Sequence, residues 1–345
     1  MGDIYDVLAE KIGVSNSKHL PPIFEFATTP RQARILEALN PPPQPAQTAK
    51  ELAQKLSLDE EDVAADLEDL FRKGLAFPRK FDDRSEWRYG KSIMQLHDAM
   101  LTGWRHYPDS QRLFDLWKTY DTNEGYPNYA RAFEGIENAV MRIIPAWQSV
   151  TDNPNLKPWE DWREILRGRK LSVVDCPCRL EIAACDRPVG VCIDFERTAE
   201  YDVASGHGRE ITYEEALEIM RSSAASGLVH TAINSINVNL MCNCCNDCCI
   251  EFLTLKAVDI PFSRHYAKSR YEARINHENC DGCQNCIENC NFDALSMVKV
   301  AGSRKLKAQA DPEACFGCGS CFMACDSNAI SMECVRPATH VPGAE

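Results

Sequence analysis

Two stretches near the C-terminal end, "CDGCQNCIENCNFDALSM" and "CFGCGSCFMACDSNAISM", constrain this chain more than any other feature. Both space their cysteines C-x2-C-x2-C-x3-C, and each cysteine of the second run stands 35 residues after its counterpart, as Cys315 does after Cys280. Both runs continue into a small-apolar pair, Ala294-Leu295 or Ala329-Ile330, and both close on Ser-Met. Such short gaps let one turn-rich loop wrap several thiolates around a compact inorganic centre. Gly282 and Gly317 suit a loop whose backbone N–H groups crowd the sulfurs. Zinc knuckles pair cysteines in twos, so the fourfold spacing argues against zinc in these runs.

The remaining cysteines are just as unevenly placed. The chain has 345 residues and 18 cysteines, and none precedes Cys176. A chain of this length builds its own cores and does not depend on disulfides. "MGDIYDVLAEKIGV" lacks the basic and apolar regions of a signal peptide. Asp6 stands where a myristoylation motif after Gly2 wants Ser or Thr. No apolar run approaches a membrane span. The expectation is a cytoplasmic protein without membrane insertion, whose reduced thiols bind metal. The net charge of -13 disfavours nucleic acid as a partner, because phosphate binding needs clustered Lys and Arg.

The paired runs resemble the bacterial-type two-cluster ferredoxin. That resemblance implies two [4Fe-4S] clusters, one held by Cys280, Cys283, Cys286 and Cys325, the other by Cys315, Cys318, Cys321 and Cys290. In ferredoxins a proline follows the fourth cysteine of each run; here Asn291 and Asp326 take its place. That proline is not a ligand, so cluster binding is expected to survive. The acidic Asp326 is expected to make reduction harder.

Between residues 171 and 262 lie nine more cysteines: Cys176, Cys178, Cys185 and Cys192, then Cys242, Cys244, Cys245, Cys248 and Cys249. The first four fit either a further iron-sulfur cluster or a tetrahedral zinc. The last five crowd into "CNCCNDCC", where vicinal thiols point in different directions and serve one ion only under strain. Either some are spare or the two groups share sites, and the grouping stays open. A redox-active thiol pair is the remaining alternative. "TYEEALEIMRSSAASG" reads as a capped helix, and "LVHTAINSINVNLMC" as an alternating strand-like run. Arg179, His207 and His230 are candidate accessory residues, for hydrogen bonds to sulfur or for proton handling. Cys334 reads as a buried structural thiol.

Residues 29–90 resemble a winged-helix fold, with three helices and a hairpin in order. The outer face of the third helix carries Glu61, Asp62, Asp66, Glu68 and Asp69, which would repel DNA, so a docking role is expected. Residues 91–170 read as a helical connector rich in aromatics, among them Trp117, Tyr120, Tyr129 and Phe133, assigned to packing. With an N-terminal arm at 1–28 and the ferredoxin domain at 263–345, the expected fold is α+β and multidomain. The whole resembles a ferredoxin-like iron-sulfur protein family of anaerobes. It implies an electron-transfer protein, or a subunit of a larger complex, passing low-potential electrons to a partner redox enzyme. The alternatives are an oxidoreductase acting at the middle domain and, third, a cluster-sensing DNA-binding regulator. No catalytic residue is identified, and whether the chain is itself an enzyme stays open.

Overall fold

Thr29 and Thr48 each close a reciprocal capping box, with Gln32 and Glu51 respectively, and so fix where two helices begin. The structure is a computed structural model that describes residues 3–131, 136 and 138–344. The chain divides into two units, Met1–Ala132 with Val174–Ala184 and Glu200–Arg209, and Phe133–Val173 with Cys185–Ala199 and Glu210–Glu345.

In the first unit the helices Pro30–Ala38, Ala49–Leu56 and Glu60–Arg72 precede the hairpin Ala76–Pro78/Glu86–Tyr89, to which Gln47–Thr48 adds a third strand. The helical period of Glu60–Arg72 puts Val63, Leu67, Leu70 and Phe71 on one face, and all four are fully buried. Asp66 departs from the expected exposed acidic face. It is buried, with Arg31 Nε at 2.5 Å and Gln32 beside it. Asp62, Glu68 and Asp69 pair with Arg31, Arg84 and Lys73.

The stretch expected as an arm contains two short helices, Ile4–Glu10 and Leu20–Ala27, which bury Leu8, Leu20, Ile23 and Phe24. Pro21 and Pro22 read as helix breakers but sit in the first turn, where the missing N–H groups cost nothing. Farther on, Ser110–Tyr120 and Tyr126–Ala130 are joined through a π-helical turn, Asp121–Gly125. Trp117, Tyr120 and Tyr129 are fully buried, whereas Phe133 lies outside the described residues.

The helical reading of 91–170 fails at Met141–Ile144, a strand whose four residues are all buried. In the second unit it joins a sheet in which Tyr266–Ala267, Met141–Ile144, Val229–Ile233, Leu240–Cys244 and Gly190–Phe195 lie side by side in that order. The run "LVHTAINSINVNLMC" thus supplies two antiparallel strands, because its Asn-Ser-rich centre turns the chain. Trp162, Ile193, Phe195, Met220 and Met241 build the core against this sheet. In the same unit, Tyr271–Ile275 pairs antiparallel with Ile330–Cys334, and Leu295–Val298 with Lys307–Ala310. No helix among the described residues is long and apolar enough to cross a membrane.

Candidate metal centres

The repeat at the C-terminal end produces two pockets with crossed linings. One is lined by Cys280, Cys283, Cys286 and Cys325, the other by Cys290, Cys315, Cys318 and Cys321. Each pocket therefore takes three thiols from one run and the fourth from the other. The crossing follows from the short helices Asn285–Glu288 and Ser320–Met323, which carry each chain segment away from its own loop.

Equivalent hydrogen bonds repeat at the crossing points: Ala294 N–H donates to Cys290 Sγ, and Ala329 N–H to Cys325 Sγ, both at 3.3 Å. Gly282 and Gly317 hold positive φ, and a Cβ at Gly317 would lie 2.1 Å from the Tyr271 carbonyl oxygen. Only glycine fits that approach.

The electrostatics show what such a donor set needs. Burial pushes the Cys286 thiol up to about 11, and the nearby Cys280, Cys283 and Cys325 add to the effect. Burial likewise raises Cys318 to about 11, with Cys290 and Cys315 adding. Four clustered thiols resist ionising together unless a cationic centre sits among them. Both donor sets fit a [4Fe-4S] cluster, with four thiols apiece and backbone N–H groups on sulfur. Phe292 and Phe316 stack at 4.4 Å beside the second pocket, and Phe252 and Phe262 pack against them. These rings exclude water from that side.

The middle cysteines separate by strand geometry. Cys242 and Cys244 are two residues apart on Leu240–Cys244 and so share a face. The register Ile193↔Met241 places Cys192 opposite Cys242 on the next strand. Cys242 neighbours Cys192 and Cys244, and Cys244 neighbours Cys249, so these four thiols lie near one another as a first group. A second group gathers Cys185 Sγ at 3.6 Å from Cys248 Sγ and 4.0 Å from Cys245 Sγ. Asp247 belongs to this second group, and Arg187 Nη1 pairs with its carboxylate at 2.8 Å. Sequence reasoning missed Asp247 because an acid amid five cysteines carries no spacing signal of its own.

Each vicinal pair, Cys244-Cys245 and Cys248-Cys249, thus gives one thiol to each group. Cys249 is also the N-cap of the helix Ile250–Ala257, where the helix dipole favours a thiolate. Cys185 and Cys192, which spacing alone placed together, go to different groups. Cys176, Cys178 and the buried Arg179 belong to the first unit, at the start of the helix Pro177–Ile182.

His230 pairs with Asn243 across the strands, on the face opposite to Cys242 and Cys244. Its Nδ1 lies 2.5 Å from Asn243 Oδ1, its ring packs on Trp162, and burial lowers it to about 4. His207 belongs to the first unit; its Nε2–H donates to the Arg72 carbonyl at 2.7 Å, and burial lowers it to about 4. Both are packed, neutral histidines. Cys334 is only half-buried, and Arg270 donates to its sulfur at 3.2 Å.

Comparison with protein families matches the 4Fe-4S dicluster domain over residues 279–329. No curated protein and no solved structure matches the chain. The crossed pockets at 280–325 fall inside that match: the C-terminal part of this chain is a 4Fe-4S dicluster domain.

Proposed function

We propose that the chain is an iron-sulfur electron-transfer protein, or the electron-transfer subunit of a complex, serving a cytoplasmic redox enzyme of anaerobic metabolism. The crossed lining of the two C-terminal pockets is the observation that carries this reading. Cys280, Cys283, Cys286 and Cys325 would hold one [4Fe-4S] cluster, and Cys290, Cys315, Cys318 and Cys321 the second. Bound there, the clusters supply one-electron couples at low potential.

The protein's own residues set the terms. Cys283 is exposed, whereas Cys280, Cys286, Cys315 and Cys321 are buried, so the Cys283 loop faces the partner. Beside it Leu306, 48 % exposed, is an apolar contact for docking. The Ala294 and Ala329 N–H groups and the phenylalanine shield adjust the stability of the reduced state.

The spacing in the middle groups favours a different occupant. Thiolates bound to one tetrahedral zinc at about 2.3 Å stand about 3.8 Å apart. The Cys185–Cys248 and Cys185–Cys245 distances of 3.6 and 4.0 Å bracket that value. We assign structural zinc to the group of Cys185, Cys245, Asp247 and Cys248, and by analogy a second zinc to Cys192, Cys242, Cys244 and Cys249. The three helices and hairpin of residues 29–90, with Gln47–Thr48 paired to the hairpin, support a winged-helix domain used for docking.

Counting metals in anaerobically purified protein tests these assignments together. About eight irons and eight sulfides per chain, with zinc besides, is the expected result. About sixteen irons without zinc would move both middle groups to iron-sulfur and about twelve only one of them, and colourless, iron-free protein would refute the electron-transfer reading.

A further inference from the structure

Within the first unit, three side chains far apart in sequence meet in complete burial. His97 lies on the helix Ile93–Thr102, Asp121 opens the π-helical turn, and Glu181 lies on Pro177–Ile182. All three side chains have no exposure. His97 Nε2 stands 3.0 Å from Glu181 Oε2 and 3.4 Å from Asp121 Oδ2.

The hydrogen bonding around them makes the arrangement specific. His97 Nδ1 lies 2.9 Å from the carboxylate of Asp98, which accepts a hydrogen bond from Nδ1–H. With Nε2 deprotonated, its lone pair points toward the two carboxylates. Three lone-pair donors converge on one point, and only a cation between them makes that favourable. Tyr129 O–H donates to Asp121 Oδ1 at 2.5 Å and fixes that carboxylate. Asp121 Oδ2 and Glu181 Oε1 are buried without a hydrogen-bond partner, so both carboxylates keep an unused donor atom.

The surroundings preserve the same geometry. A Cβ on Gly125 would come within 2.5 Å of Asp121 Oδ1, so the absent side chain leaves that carboxylate its place. The Trp117 and Tyr129 rings stand edge-on to His97 at 5.1 and 5.8 Å. π-Helical turns recur at functional sites because they redirect a side chain that a regular helix would aim elsewhere.

We propose that His97, Asp121 and Glu181 form a binding site for one first-row divalent metal ion, separate from every cysteine site of the chain. One imidazole and two carboxylates suit zinc, manganese or iron(II), whereas the lack of thiolate disfavours copper(I) and iron-sulfur clusters. A histidine oriented by Asp98 and a carboxylate held by Tyr129 are the outer partners that such ligands require. Because the site is closed to solvent, its metal is structural: it clasps three segments of the first unit in one place. The competing occupant is a proton, carried as an imidazolium between the carboxylates.

The test is metal content per chain, with acid-labile sulfide measured alongside. Total manganese, iron, cobalt, nickel and zinc are compared between the full-length protein and Glu181→Gln, both grown with added zinc. The expected result is loss of about one metal ion per chain with sulfide unchanged, since the cysteine sites are untouched. Equal metal content in two folded proteins would overturn the proposal and leave a proton in the site. Should Glu181→Gln fail to fold, zinc X-ray absorption of the unaltered protein decides. Outer-shell scattering from an imidazole ring on zinc supports the site, and zinc bound by sulfur and carboxylate oxygen without imidazole refutes it. The outcome is independent of the middle groups, whose donors are cysteines and Asp247 and include no histidine.

Discussion

The side-chain oxygen of Asn291 accepts a hydrogen bond from the backbone N–H of Asn246 at 3.2 Å. The same side chain donates through Nδ2 to the Gly227 carbonyl at 3.1 Å. Asn291 follows Cys290 and Asn246 follows Cys245, so one buried amide ties the dicluster domain to the middle thiols. The proline that ferredoxins carry at this position can do neither. Asn291→Ala leaves two backbone groups without a partner, at a cost of about 1–3 kcal/mol. A lower anaerobic melting temperature is expected, and an unchanged one would show that the link contributes nothing.

Crossed ligation makes a specific forecast for the dicluster domain. Cys290→Ser is expected to disturb the centre of Cys315, Cys318 and Cys321, and to spare that of its own loop. Cys325→Ser should do the reverse. Electron paramagnetic resonance of the two reduced variants distinguishes the cases. Identical residual spectra would contradict the crossing.

In the middle groups, sequence neighbours should behave as strangers. Cys244→Ser and Cys192→Ser are expected to remove the same zinc, and Cys245→Ser and Cys185→Ser the other. Pairs within a group should cost little more than one change, while pairs across groups should add. Zinc content of the four single and two double variants checks this. Loss of both ions from every single variant would argue for one shared site.

His207 gives a pH dependence of known sign. Burial lowers it to about 4, against the usual 6.5, so the unfolded chain binds a proton that the folded one refuses. Stability from this group is complete above about pH 6.5 and falls progressively toward pH 4, by at most roughly 3 kcal/mol. His207→Gln should therefore flatten the acid limb relative to the unaltered protein. Melting temperatures of the pair from pH 7 to 5 measure the difference, and parallel curves would remove His207 from the account.

Leu306 offers a test of the partner-facing surface. Leu306→Glu is expected to leave the visible spectrum unchanged while slowing electron transfer to the partner several-fold. An equal rate would place the docking surface elsewhere.

The dicluster domain was legible because its ligands are local and their spacing repeats. The capping box at Thr48 was legible for the same reason, as it needs only four consecutive residues. The grouping of the middle cysteines was not, since it depends on the register that sets Cys192 opposite Cys242. The strand Met141–Ile144 escaped notice because four consecutive buried residues carry no alternation. His97, Asp121 and Glu181 left no trace in sequence at all: they lie on three helical segments, and only the tertiary fold makes them neighbours.

The six residues from Cys244 to Cys249 feed both middle groups by turns. An ion seated in one group orders the loop that carries ligands of the other, and so lowers the entropy cost of filling it. Loading of this region should accordingly be cooperative: the first ion raises the affinity for the second, and a chain deprived of one keeps the other more weakly.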